Sequence, residues 1–161
     1  MDRRSVIFAL AGVVSTASIV TAQPLLSTSP SQFRLSELMG GEFAILTSRL
    51  ALERSRNPSV RNFAQLEINE QTAVAAALGA TPGGVQPRPD QMAIIQQLQS
   101  MGPGRQFDRA YVEGQIAGHE ELLALNTAYA QGGSDERGRA VATIAVPSIQ
   151  THLSILSNLL R

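Results

Sequence analysis

Gln106–Gln131, QFDRAYVEGQIAGHEELLALNTAYAQ, is the stretch on which the fold turns. Phe107, Ala110, Tyr111, Leu122 and Leu125 recur at helical spacing, which predicts one amphipathic helix of about seven turns. Asp108, Tyr111, Gln115 and His119 step along the same face, and Leu122 continues the line. Gly114 and Gly118, one turn apart, either mark a place where another helix comes close or merely loosen this one. Met101-Gly102-Pro103-Gly104 breaks the chain before this segment and Gly132-Gly133 turns it afterwards.

Three more long segments share the period. The first covers about residues 32–56, with Leu35, Leu38, Met39, Phe43, Leu46 and Leu50 as its apolar stripe. Asn57-Pro58 ends it and opens the second, because Asn caps and Pro suits the first helical position. The second reaches about Leu78, with Val60, Phe63, Ala64, Val74 and Leu78 on one side, and Gly79 stops it. The last opens at Ser134-Asp135-Glu136, where acidic residues suit the positive helix end. Its expected inner residues are Val141, Ile144, Ile155, Leu156 and Leu159, and Pro147 predicts a kink or a brief break. Residues 80–89, ATPGGVQPRP, form the longest break and are expected to cross the end of a bundle. A short helix over 90–100, capped by Asp90, follows. No stretch after Ser31 alternates like a strand, so the chain is all-α.

The composition narrows the function classes. The chain has 161 residues, a net charge of zero and no cysteine. It therefore lacks the basic excess that binds nucleic acid, and it has no disulfide framework or thiolate metal site. Aromatic residues are 4% of the chain and Trp is absent, so Ala, Leu, Val and Ile must build the core. Arg3 and Arg4, the apolar run Val6–Val20 and the small residues Val20-Thr21-Ala22 read as a secretory signal over 1–22, cleaved before Gln23. An uncleaved anchor is the alternative. Asp2-Arg3-Arg4-Ser5-Val6-Ile7 also loosely resembles a twin-arginine signal, so Sec or twin-arginine export to the periplasm is expected. Residues 23–31 read as a flexible lead-in and 32–161 as one bundle domain, with no membrane span once the signal is removed.

Polar residues interrupt the inner stripes. Glu42 on the first helix, Glu67 and then Glu70 and Gln71 on the second, His119 on the third and His152 on the last all fall on or beside apolar faces. Buried carboxylates are costly unless paired or metal-bound. Imidazole with carboxylate suits iron, manganese or zinc. The candidate ligands are thus Glu42, Glu67, Glu70, His119 and His152, with Asp108, Tyr111, Gln71 and Gln115 as supporting residues. A complete di-iron motif is absent: Ile116 and Ile149, not acids, stand three residues before the two histidines. The competing reading is a hydrogen-bonded core with no cofactor. Ser148 and Ser154 near His152 come with no nucleophile elbow, so no catalytic residue is assigned.

Several of these segments together resemble the domain of unknown function 4142 family. They are Gly40-Gly41-Glu42-Phe43, Leu50-Ala51-Leu52-Glu53, Val60-Arg61-Asn62-Phe63-Ala64-Gln65, Phe107-Asp108-Arg109-Ala110-Tyr111-Val112 with His119, and Val146-Pro147-Ser148-Ile149-Gln150-Thr151-His152-Leu153. The resemblance spans about Phe33 to Leu160. It implies a ferritin-like four-helix up-down bundle, with the short extra helix in its long crossover, in exported bacterial proteins often labelled outer-membrane proteins. It implies no established activity. Helices this polar on one side do not span a bilayer. Where the family's second helix usually carries Asp-His, this chain has Glu70-Gln71, and an amide does not replace imidazole as a strong ligand.

The functional expectation is a periplasmic accessory or binding protein without turnover. The alternatives are a metal-binding or redox bundle and a protein that docks on an envelope partner. An Ala-rich bundle can also present a face for a homodimer.

Overall fold

The computed structural model describes residues 28–161; the expected signal, its cleavage site and most of the lead-in lie outside the described residues. Five helices follow in order: α1 (Pro30–Arg54), α2 (Pro58–Ala77), α3 (Pro89–Ser100), α4 (Arg105–Gly132) and α5 (Glu136–Leu159). No strand occurs among the described residues.

Local chemistry sets the helix ends. Ser29 caps α1 and pairs reciprocally with Gln32, so the helix starts two residues inside the expected lead-in. Asn57 accepts the Ser59 amide at 2.9 Å and Pro58 takes the first position of α2. At the far end Gly79 adopts φ +70°, Ala80 N donates to Ala75 O and Gly79 N to Ala76 O. This pair of bonds is a Schellman stop, and its left-handed residue favours glycine. The short helix begins at Pro89, with Gln91 rather than Asp90 holding its entry through the Arg88 amide. Helix α5 runs unbroken through Pro147.

The long helices sit in a square, in the order α1, α2, α5, α4. Arg34 near the start of α1 reaches the carbonyls of Leu78 and Gly79 at the end of α2, so α1 and α2 are antiparallel. Ser48 meets Tyr111 and Glu37 meets Asn126, which makes α1 and α4 antiparallel. Glu67 meets His152 and Glu70 meets Ser148, so α2 and α5 are antiparallel too. Spatial neighbours thus alternate in direction, but α2 and α4 run the same way. The crossover must therefore travel the length of the bundle rather than cross its end. Helix α3 is what spans that length: Ile95 and Leu98 are buried, and Arg54 donates to the carbonyls of Leu98 and Met101. One long crossover of this kind is the ferritin-like connection.

Small residues let the helices approach. A Cβ on Gly118 would lie 3.3 Å from the Phe43 ring, and one on Gly40 would lie 2.8 Å from Leu122 Cδ2. Phe43 fills the groove left by Gly114 and Gly118. Helix phase departs from expectation at two positions. Leu35 is 51% exposed and Ile144 is 72% exposed. The inward line of α5 is Gly138, Ala142, Ala145, Ile149, His152 and Leu156, because small residues there let α4 pack close. Helix α5 is also long and apolar enough, by length and composition, to cross a membrane.

Candidate metal centre

Glu67, His119 and His152 come from three different helices and converge in the interior. They are 0%, 2% and 3% exposed. Glu67 faces inward because it continues the line of Val60, Phe63 and Ala64 on α2. His119 lies one turn beyond Gln115 on α4, and His152 one turn before Leu156 on α5.

The hydrogen bonds fix the chemistry of each nitrogen. His119 Nδ1 is 2.7 Å from the Gln115 carbonyl, which can only accept. The ring proton is therefore on Nδ1, and in the neutral ring Nε2 carries a lone pair. That lone pair faces Glu67 Oε1 at 3.2 Å and His152 Nδ1 at 3.3 Å. His152 Nδ1 is 2.7 Å from the same Glu67 oxygen. On its outer edge His152 Nε2 lies 3.4 Å from Glu70 Oε2, and Ser148 Oγ donates to that carboxylate. Phe63 closes the site, its ring edge-on to His152 at 5.5 Å between centroids.

Burial alone would raise the Glu67 carboxyl, but hydrogen bonds and positive charge from His119 and His152 outweigh it and hold the group at about 2. Burial works to lower His152, and the Glu67 bond with the charges of Glu67 and Glu70 outweighs that and raises it. An ionised carboxylate in a dry interior therefore faces two imidazoles, and its second oxygen, Oε2, has no hydrogen-bond partner. The three ligand atoms lie within 4.8 Å of one another. Donors bonded to one ion at about 2.1 Å stand roughly 3 Å apart, so the residues fit a single cation. Two histidines and one carboxylate with positions left open is a donor set that suits iron(II), and zinc accepts it as well. The His119–Gln115 bond is the kind of outer contact that fixes a ligand's orientation.

The other residues named from sequence lie elsewhere. Glu42 is buried but turns to the crossover loop, where it accepts the Gly83 amide at 2.6 Å. Glu70 stands behind His152 rather than inside the triad. Gln71 lies one turn beyond Glu67 and points at Gly41, its Oε1 without a partner. Gln115 supports His119 through its carbonyl, while its side chain donates to Thr47 Oγ1 at 2.8 Å. Tyr111 bonds Ser48 at 2.9 Å, two turns before His119. Asp108 stands eleven residues before His119, about 16 Å along the helix, beside Arg105 and Arg109. Glu37 and Asn126, buried and bonded to each other at 2.7 Å, were not anticipated. Their signal was present: Glu37 stands one turn before Gly41, and Asn126 stands two turns after His119.

The bundle resembles a solved structure, a DUF305 fragment from Deinococcus radiodurans, with a TM-score of 0.62 and 17% identity. The match covers 83% of this chain and 97% of that one, and at this identity it speaks to the fold alone. No curated protein matches the chain. The family model described as "Domain of unknown function (DUF4142)" matches residues 15–159, nearly the whole chain, which therefore belongs to that family.

Proposed function

We propose that this protein is an exported metal-binding bundle that holds one transition-metal ion between Glu67, His119 and His152. The observation that carries the reading is the convergence of three buried ligand atoms, with the His119 lone pair aimed inward by the Gln115 carbonyl. In the neutral ring that lone pair faces a carboxylate oxygen at 3.2 Å, a repulsion that a metal ion held between them relieves. Iron, manganese and zinc are the candidate ions, and iron(II) suits the donor set best. The arginine-led apolar segment before Gln23 supports export to the periplasm. The balanced charge supports no role on nucleic acid.

The test is elemental analysis of protein purified without chelator and again after reconstitution. One equivalent of metal is expected, lost in both His119→Ala and His152→Ala. Absence of metal under both conditions overturns the reading. A second reading, a non-catalytic accessory protein whose polar core is purely structural, draws on the His152–Glu67 contact at 2.7 Å and on a His119 that carries a proton on Nε2 as well and donates to the same oxygen. It predicts that the metal-free wild type already melts well above both histidine variants and that added metal changes nothing.

A further inference from the structure

A separate cavity of about 210 Å³ lies between α1, α2 and the crossover loop. At roughly 30 Å³ per water it has room for about seven waters, far more than a bare ion needs. Its polar groups are nearly all acceptors. Glu37 is 1% exposed, and Asn126 donates to one of its oxygens. Glu42 holds the Gly83 amide through Oε2. Gln71, 5% exposed, has an unpartnered Oε1 that lies 2.8 Å from where a Cβ on Gly41 would stand. Arg34 also borders the cavity, but its guanidinium is engaged with the Leu78 and Gly79 carbonyls. Apart from Thr81, the remaining side chains of the wall are apolar, with Leu38, Ile45, Val74 and Val85 prominent.

We propose that this cavity binds a small primary alkylammonium, whose ammonium head donates to Glu37, Glu42 and Gln71 Oε1 while its alkyl tail lies on the apolar wall. The head offers three N–H donors and one positive charge, which answers a wall of two carboxylates and an unpartnered carbonyl. The tail answers the apolar lining, which a hydrated metal ion leaves wet. The glycine at position 41 matters because any side chain there would collide with the Gln71 oxygen. Burial pushes the Glu37 carboxyl up to about 7 despite the Asn126 hydrogen bond, so an arriving cation would meet a carboxyl that can still be made to ionise near neutrality. None of these residues belongs to the histidine centre, and the inference does not depend on that centre holding metal.

The experiment is an NMR titration of the wild-type protein with n-propylammonium chloride, followed through the backbone amides. The Gly83 amide is the reporter, because it already bonds Glu42. Saturable shifts at Gly83 and Gly41, at least tenfold weaker binding in Glu37→Gln and in Gln71→Met, and no saturation by tetramethylammonium are expected. Tetramethylammonium carries the charge without N–H donors. Magnesium chloride producing the same saturable shifts while propylammonium does not would overturn the proposal in favour of a hydrated cation. No saturation by any of these salts would overturn it outright. Because the wild type carries the primary readout, a variant that fails to fold does not blunt the test.

Discussion

His119 donates from Nδ1 to the Gln115 carbonyl one turn earlier, and this bond turns Nε2 toward Glu67 Oε1 at 3.2 Å. The acceptor is a helix carbonyl, present whatever side chain stands at position 115. Helix geometry therefore sets the tautomer. This relationship separates what Gln115 does through its backbone from what it does through its amide.

Gln115→Met should leave metal affinity within a few-fold of wild type while lowering stability by about 1–2 kcal/mol, since Thr47 loses a buried partner. Metal titration and denaturant unfolding on the same variant check both halves. A loss of affinity comparable to that of His119→Ala would place the amide itself in the metal centre.

In metal-free protein, His152→Ala should destabilise by roughly 3–5 kcal/mol, because Glu67 would remain ionised and buried with one fewer partner. Combining it with Glu67→Gln should recover part of that loss, since the uncompensated charge disappears. Urea unfolding of the two single variants and the double variant measures the coupling.

The metal-free protein should also respond to pH through the same pair. Glu67 is depressed below its ordinary value of 4.5, so its stabilisation is complete above that pH and is lost as pH falls toward about 2. His152 is raised above 6.5, so its stabilisation is complete below that value and is lost as pH rises through the folded-state value. The two together place the pair's greatest contribution between about pH 4.5 and 6.5. Melting temperature across pH, compared with His152→Ala, reads this window.

Glu37 works in the opposite sense from Glu67. Its carboxyl is raised from 4.5 to about 7, so between those values the native state holds a proton that the unfolded state has released. Stability must then fall as pH rises across that interval, by roughly 3 kcal/mol in all. Glu37→Gln keeps an acceptor for Asn126 and should flatten this decline, leaving the variant more stable than wild type above pH 7. A variant that keeps the wild-type slope would show that the buried carboxyl is not its source.

Gly40→Ala should cost about 1–3 kcal/mol, since the new Cβ would meet Leu122 Cδ2 at 2.8 Å in a packed interior. Gly132→Ala meets nothing within 4 Å and should be neutral or stabilising by up to about 1 kcal/mol. Thermal unfolding of the pair separates close helix packing from intrinsic helix preference.

Much of the architecture was legible in the residues. The period of the apolar positions, Asn57-Pro58 and Gly79 locate the long helices within a few residues. The inner polar line Gln115–His119 was legible because residues one turn apart share a face. Leu35 and Ile144 were misplaced by the rule that large apolar residues face inward. That rule fails where Gly and Ala fill the inner face so that helices can touch, and bulky side chains are turned outward.

What the sequence determined by itself was the local physics: five helices, the Asn57-Pro58 start and the Gly79 stop of α2, and the presence of ionisable groups on apolar faces. Two things it did not determine. One was the direction of the crossover, which depends on α3 packing along the length of α1 and α4 rather than on any residue in the loop. The other was which carboxylates meet the histidines. Glu42 and Glu67 both lie on buried faces, yet one caps a loop amide and the other joins a triad. Helix phase fixes the face from which a side chain leaves, but only the packing of α2 against α5 brings Glu67 within 2.7 Å of His152, and that contact is made between residues far apart in the chain.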